Sequence, residues 1–253
     1  MADDRMMLME LVSQYRIWLN NRVGTQTDWR IQVGPFAGLK LFPELSSWGL
    51  IGTALIGTFE PEVHRIIEGW GDTPYDSIIN IGAAEGYYLA GLGLRHPTAD
   101  LVGFETNTDL WADAWTLADL NGVSDRLDLR GTCTPDDMIK LCGEYARPLV
   151  IMDIEGGEVD FMMHPEIATL VHADLIIECH DGKREGASKV VSDRLTETHK
   201  IRLKGEGPRD ANALAFLRKM PQIDRCLLTW EGRGTYCYWL EAASKSAIRL
   251  QGD

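Results

Sequence analysis

The chain has 253 residues, of which 45% are hydrophobic and 25% charged, and its formal net charge is −13. This length and composition are typical of a globular protein with one large domain, or one domain with an extension. Nucleic acid and anionic membranes are poor partners for so acidic a chain, because a surface that follows phosphates needs clustered Lys and Arg.

We expect a cytoplasmic protein, because the sequence has no recognisable signal peptide or membrane span and its cysteines are typical of a reduced protein. The N-terminal segment MADDRMMLMELV has acids before its apolar residues and no basic region, which is not the pattern of a signal peptide. No stretch is apolar over the length of a membrane span. The five cysteines are an odd number without a C-x-x-C pair, which fits a reduced protein without structural zinc.

Residues 1–70 are predicted to form an N-terminal extension made of a helix, a short hairpin and a second helix. In the first helix, predicted over residues 6–22, apolar side chains from Leu8 to Leu19 recur at helical spacing and make one stripe. We expect this stripe to pack on its own domain. A homodimer contact through the same helix stays open.

From residue 71 to 253, strands alternate with helices. The apolar runs of the predicted strands indicate burial on both faces, which is typical of a parallel sheet covered by helices on both sides. The sequence therefore predicts a doubly wound α/β domain, in which ligands lie beyond the carboxyl ends of the strands. The segments predicted as strands are DSIINIG, ADLVGFE, DRLDLRG, RPLVIMDIE, ADLIIECHD, HKIRLKG and TYCYWLEA.

A glycine turn, NIGAAEGYY at residues 80–88, follows the first of these strands. A dinucleotide turn of the G-x-G-x-x-G type needs glycine where this chain has Ala84 and Tyr87. Glu85 would also face the pyrophosphate, and two unit charges near 4 Å repel by about 4 kcal/mol at an effective dielectric near 20. S-adenosylmethionine carries a sulfonium, an ammonium and no phosphate, so the acidic turn favours this cofactor over NAD.

The turn keeps two of the glycines of an adenosylmethionine turn, which has the pattern acid-x-G-x-G-x-G. Gly82 and Gly86 are in place, whereas Asn80 and Ala84 replace the acid and the middle glycine. Glu105 ends the second predicted strand, where a carboxylate can accept hydrogen bonds from both ribose hydroxyls. The turn and this acid together favour a nucleoside cofactor.

Five segments in this order, IINIGAAEGYY, GFETN, LADLNGV, IMDIEGGE and IIECHD, resemble the FkbM-type S-adenosylmethionine-dependent methyltransferases over about residues 57–241. The most specific element is D-[IV]-E-G-x-E at residues 153–158. The resemblance implies a class I, Rossmann-like methyltransferase sheet of seven strands and O-methylation of a small molecule such as a sugar or secondary metabolite. It also implies that Glu60 folds over the cofactor. The candidate cofactor-binding residues are Glu60, Asn80, Gly82, Ala83, Ala84, Glu85, Gly86, Tyr87, Glu105, Thr106, Asn107, Thr132 and Asp153.

Asp153, Glu178 and His180 are the candidate catalytic residues. Asp153 follows the fourth strand and the other two follow the fifth, and the resemblance makes these strands neighbours. A hydroxyl nucleophile benefits from losing its proton, so we assign His180 as the base and place Asp153 near the methionine end of the donor or the acceptor hydroxyl. Asp153, Glu178 and Asp181 are also candidate Mg²⁺ ligands, because they offer carboxylate oxygens.

Three other charged residues near these motifs receive simpler interpretations. Glu155 and Glu158 are expected to be first-turn acids that complement a helix dipole. Arg233 could orient an acidic or hydroxylated acceptor, but we expect it to face solvent.

Two further functions stay open beside O-methylation of a small-molecule acceptor. A nicotinamide-dependent oxidoreductase could use a related sheet. A methyltransferase-like module could bind partners through residues 1–56 without transferring a methyl group. N-methylation is also compatible with the same positioning chemistry.

Overall fold

The structure is a computed structural model that describes residues 2–45 and 49–246. Helices and strands alternate along most of the chain. The helices are α1 (Ala2–Thr27), α2 (Ile51–Leu55), α3 (Pro61–Trp70), α4 (Tyr87–Arg95), α5 (Trp111–Leu120), α6 (Pro135–Gly143), α7 (Glu158–Met162), α8 (Ala187–Leu195) and α9 (Gln222–Leu228). The strands are β1 (Ser77–Ile81), β2 (Asp100–Phe104), β3 (Leu127–Arg130), β4 (Pro148–Met152), β5 (Asp174–Cys179), β6 (His199–Gly205) and β7 (Tyr238–Ser244).

The chain forms two compact units. The first takes the residues up to Pro61 together with Gly207–Gly232, and the second takes Glu62–Glu206 and the residues from Arg233 onward. The first unit differs from the predicted extension over residues 1–70, because it ends earlier and includes a late segment. This segment carries α9, which contacts α1.

Helix α1 is longer than predicted, and much of its apolar stripe lies at the surface. Leu19 is buried, but the exposed fractions of Leu8, Leu11, Tyr15 and Trp18 are 58%, 58%, 40% and 50%. The expectation that the stripe packs on its own domain is therefore wrong for these four residues. The buried residues of the helix lie in its C-terminal half, from Leu19 onward, where Asn20 accepts the amide of Gly52 in α2.

The second unit is built on a seven-stranded sheet in the order β3-β2-β1-β4-β5-β7-β6. The first five strands are parallel, and β7 is antiparallel to both β5 and β6. Strands β1, β4 and β5 are buried along their whole length, in agreement with their continuous apolar runs. The predicted mostly parallel α/β sheet with an N-terminal helix is confirmed.

The sheet buries one face against α6, α7 and α8. This core joins strand residues such as Val150 and Ile177 to Met138, Met162 and Val191 of the three helices, and all five are at most 1% exposed. Burying one such side chain contributes about 1.5–3 kcal/mol, so the strands that carry the site are firmly fixed.

Helix α6 shows how local sequence sets an element boundary. The hydroxyl of Thr134 accepts the backbone N–H of Asp137 at 3.2 Å, and the Asp137 carboxylate accepts the N–H of Thr134 at 3.0 Å. This capping box satisfies two amides at the helix start. The helix therefore begins at Pro135, directly after its threonine cap.

None of the helices within residues 2–45 and 49–246 has both the length and the apolar character that crossing a bilayer demands. Because β1 to β5 are parallel, their carboxyl ends lie at one edge of the sheet. The turns that follow these strands carry most of the candidate site residues.

Candidate active site

The glycine turn after β1 is held against the neighbouring strands. The amides of Gly82 and Ala83 both donate to the carbonyl of Phe104 at 2.9 Å. Gly82 has φ +81°, and a Cβ atom added there would lie 1.7 Å from the carbonyl oxygen of Asp153. Glycine is therefore required both by the left-handed backbone and by the close approach of the turn after β4.

Ala84 occupies the place of the middle glycine in the expected turn. Its φ is +44°, a region that costs a non-glycine residue about 1–2 kcal/mol. Glu85, Gly86 and Tyr87 are buried, and the Tyr87 hydroxyl lies 3.1 Å from Nε2 of His64. Gly82, Ala84 and Gly86 all have positive φ, so the alanine adopts a backbone region that glycine normally occupies.

Asn80 presents a buried acceptor beside this turn. The residue is 1% exposed, and its amide nitrogen donates to the carbonyls of Gly82 and Ile151, both at 3.4 Å. Among the described residues no donor reaches its Oδ1 atom, which is itself buried. An unsatisfied buried acceptor costs about 1–3 kcal/mol, so this oxygen marks a place where a ligand donor would be stabilised.

Glu105 fixes the turns after β1 and β2 to each other. Its Oε2 accepts the Ala84 amide at 2.9 Å and its Oε1 accepts the Asn107 amide at 2.6 Å. Trp111 donates its indole N–H to the Glu105 carbonyl at 3.0 Å. Each carboxylate oxygen keeps a second lone pair that can accept from a ligand hydroxyl.

The remaining cofactor candidates have different surroundings. Thr106, Asn107 and Thr132 are exposed, and Ala83 is buried. Glu60 belongs to the first compact unit, where its amide donates to the Glu231 carboxylate at 2.9 Å. The cofactor roles of these residues stay predictions.

His180 is held by a buried glutamate. Oε1 of Glu158 lies 2.9 Å from Nδ1 of His180 and also accepts the amides of Gly156 at 3.0 Å and Ile154 at 3.3 Å. Glu158 is 1% exposed. An ionised carboxylate can only accept, so Nδ1 carries the proton and Nε2 is left as the acceptor of the neutral ring.

The second ring nitrogen of His180, Nε2, faces three carboxylates. Its Nε2 lies 3.4 Å from Glu155, 3.7 Å from Glu178 and 3.8 Å from Asp153. The imidazole side chain is only 5% exposed. The structure thus brings the three predicted catalytic residues together, with Glu155 as an additional neighbour.

Two cations bind the outer carboxylates of this cluster. Lys183 forms an ion pair with Glu155, and Arg233 forms one with Glu178. The Arg233 side chain is 19% exposed, so the expectation that it faces solvent is wrong. Its guanidinium is drawn inward because Glu178 is a buried acid that needs a counter-charge.

Sequence reasoning missed Glu158 as the partner of His180. Glu158 does lie in the first turn of α7, as expected, but its carboxylate points into the site. The same expectation is wrong for Glu155, which precedes the helix and has φ +58°. Helical spacing gives no sign of the contact between Glu158 and His180, because the contact joins α7 to the end of β5. The D-I-E-G-G-E motif was the available signal.

Burial and neighbouring charges shift the pKa values of the cluster. Burial, followed by the adjacent Glu178 carboxylate, raises the pKa of Asp153 well above its ordinary value. Burial alone lowers the pKa of His180, but the hydrogen bond to Glu158 and the surrounding carboxylates outweigh it and raise this pKa overall. Both shifts favour the protonated forms of Asp153 and His180, so these two side chains are suited to accepting a proton.

The predicted Mg²⁺ ligands are only partly brought together. The Asp181 carboxylate instead accepts the amide of Ser188 at 3.1 Å and its hydroxyl at 2.9 Å, at the start of α8. Atoms of Asp153, Glu155 and His180 lie within 4.8 Å of one another and could ligate a cation. This set includes a nitrogen, whereas Mg²⁺ prefers oxygen, so Mg²⁺ does not fit as predicted.

Comparisons with known proteins identify the fold. No family model matches the chain, and no curated protein matches it. The O-methyltransferase TomG from Streptomyces achromogenes, solved with SAM, is similar with a TM-score of 0.50 and 12% identity over 81% of this chain and 92% of TomG. A geranyl diphosphate methyltransferase solved with GPP and sinefungin gives 0.50 and 13% over 93% and 98%. The fold is that of class I methyltransferases.

We predict that Gly82→Ala destabilises the protein by about 2 kcal/mol or more, because the new methyl group meets a backbone carbonyl in a left-handed turn. Gly143→Ala is the matched control, since a Cβ there meets nothing within 4 Å. Urea unfolding followed by circular dichroism measures both. Equal stability of the two variants would contradict the close packing of the turn.

Proposed function

We propose that this protein is an S-adenosylmethionine-dependent methyltransferase that methylates a hydroxyl of a small molecule, such as a sugar or secondary metabolite. The observation that carries the proposal is the pairing of His180 with buried Glu158 next to a glycine turn. Asp153 links the two parts, because its carbonyl meets Gly82 and its carboxylate lies 3.8 Å from His180.

We assign the chain to the FkbM type within these enzymes on the D-I-E-G-G-E motif. Its three acids all surround the same imidazole: Glu158 holds Nδ1, while Asp153 and Glu155 lie near Nε2. The spacing of the motif thus has a structural consequence: the turn formed by residues 153–158 places all three acids around one histidine.

The residues around the glycine turn fit the cofactor. The buried Oδ1 of Asn80 would accept from its ammonium group, and the carboxylate of Glu105 from its ribose hydroxyls. The acid Glu85, buried in the turn, disfavours a diphosphate and so argues against NAD. When bound, adenosylmethionine supplies an electrophilic methyl group.

His180 would act as the general base. Its Nε2 takes the proton of the acceptor hydroxyl as the oxygen becomes nucleophilic. The resulting imidazolium is stabilised by Glu158 at Nδ1 and by the carboxylates near Nε2. The Glu158 hydrogen bond also fixes the ring orientation, which places the base where the acceptor must bind.

Calorimetric titration tests the cofactor. We predict that adenosylhomocysteine binds and that NADH does not. Glu105→Ala should weaken binding by about 10- to 100-fold, because charge-assisted hydrogen bonds contribute about 1.5–3 kcal/mol. Glu144→Ala, at an exposed glutamate, is the control. Binding of NADH with no binding of adenosylhomocysteine would overturn the proposal in favour of an oxidoreductase.

The pH dependence of turnover tests the base. With an acceptor found by screening hydroxylated compounds for release of adenosylhomocysteine, kcat/KM should rise with pH with an apparent pKa above 6.5, because His180 must first lose its proton. In Glu158→Gln this rise should move to lower pH, since the anion that favours the imidazolium is gone. We also expect kcat to fall about 10- to 100-fold.

The control for this series is Asp160→Asn, which changes an exposed acid on the same helix, paired with Arg184. Its pH profile should match the wild type. A Glu158→Gln profile with an unchanged midpoint, or full turnover in His180→Ala, would contradict the assigned base.

A further inference from the structure

We infer that helix α1 is the interface of a homodimer, formed by a row of four exposed side chains, Leu8, Leu11, Tyr15 and Trp18, here called the α1 seam. Their spacing of 3, 4 and 3 residues is the a/d pattern of two heptads, the pattern by which two helices pack along a shared seam. The inference goes beyond the proposed methyltransferase function.

The α1 seam forms an exposed apolar patch. Each of its four side chains is between 40% and 58% exposed, and Met7 beside it is 68% exposed. Taking a large side chain as roughly 150–250 Å², the seam exposes an area on the order of 400 Å². Contiguous apolar patches of this size on soluble proteins commonly mark binding surfaces.

The aromatic part of the α1 seam is already ordered. The rings of Tyr15 and Trp18 stack with centroids 5.4 Å apart, and the Tyr15 hydroxyl donates to Asp224 at 2.8 Å. The guanidinium carbon of Arg22 lies over Trp18, 5.5 Å from its ring centroid. Trp, Tyr and Arg dominate the energetics of protein interfaces, and side chains that are held in advance lose less entropy on binding.

A second copy of the chain is the occupant that fits this surface. In an antiparallel pairing centred between Leu11 and Tyr15, Leu11 meets the partner's Tyr15 and Leu8 meets the partner's Trp18. Each leucine then packs on an aromatic ring, and a two-fold axis makes both halves of the contact identical. The net charge of −13 disfavours an anionic membrane as the alternative; it also repels a second copy, which is a reason to expect a weak dimer.

The area buried between two α1 seams sets the expected affinity of the dimer. Two seams together bury on the order of 800 Å², and flanking residues such as Met7 bring the total to about 1,100 Å². This is just below the range of standard stable interfaces, about 1,200–2,000 Å². We therefore expect a dimer that dissociates in the micromolar range.

Sedimentation velocity of the full chain between about 1 and 100 µM tests the inference, because a micromolar dimer must assemble across this range. Leu11→Glu should weaken the dimer at least about tenfold, since it places a charge in the apolar seam. Ile17→Glu is the matched control: Ile17 is 56% exposed on the same helix but lies on another face. It should dimerise like the wild type.

Circular dichroism checks that each variant is folded, and Trp18→Gln replaces Leu11→Glu if the latter unfolds. A wild type that stays monomeric at all concentrations would overturn the inference. So would a dimer that survives both seam variants or is lost only in Ile17→Glu. Binding of the monomer to phosphatidylcholine vesicles, abolished by Leu11→Glu, would assign the seam to a lipid surface instead.

Discussion

The hydrogen bond between Glu158 and His180 is the interaction on which the proposed chemistry depends. It joins the start of α7 to the end of β5, so it fixes the geometry between two neighbouring strands of the sheet. A buried carboxylate is costly unless it is well satisfied. Glu158 meets this requirement at Oε1, which contacts the imidazole and accepts two backbone amides, whereas no donor among the described residues reaches its buried Oε2.

The site also contains other charged side chains, which surround the imidazole or pair with the acids near it. Glu155 has φ +58°, which costs about 1–2 kcal/mol for a non-glycine residue, and this backbone brings its carboxylate to 3.4 Å from Nε2 of His180. Lys183 and Arg233 then pair with Glu155 and Glu178. Strain and paired charge at one place are typical of functional sites, where a protein gives up stability for a fixed arrangement of groups.

The sequence predicted the sheet well and the site in part. Continuous apolar runs and glycine turns gave the strands, because burial on both faces leaves a clear pattern. That Asp153, Glu178 and His180 lie close together could be predicted, because strand ends are recognisable, and their catalytic roles stay predictions. The role of Arg233 could not be predicted, since its partner Glu178 lies 55 residues away and only folding brings them together. The exposure of the α1 stripe was equally hidden, because apolar periodicity shows which residues share a face but not what covers that face.

The most direct test of the account is ¹⁵N NMR of the imidazole of His180, assigned by comparison with His180→Gln. The chemical shifts of the two ring nitrogens report both the tautomer and the pKa. We predict a neutral ring protonated at Nδ1 and a pKa above 6.5, which falls in Glu158→Gln. A neutral ring protonated at Nε2, or a pKa at or below 6.5 that does not respond to the Glu158 substitution, would contradict it.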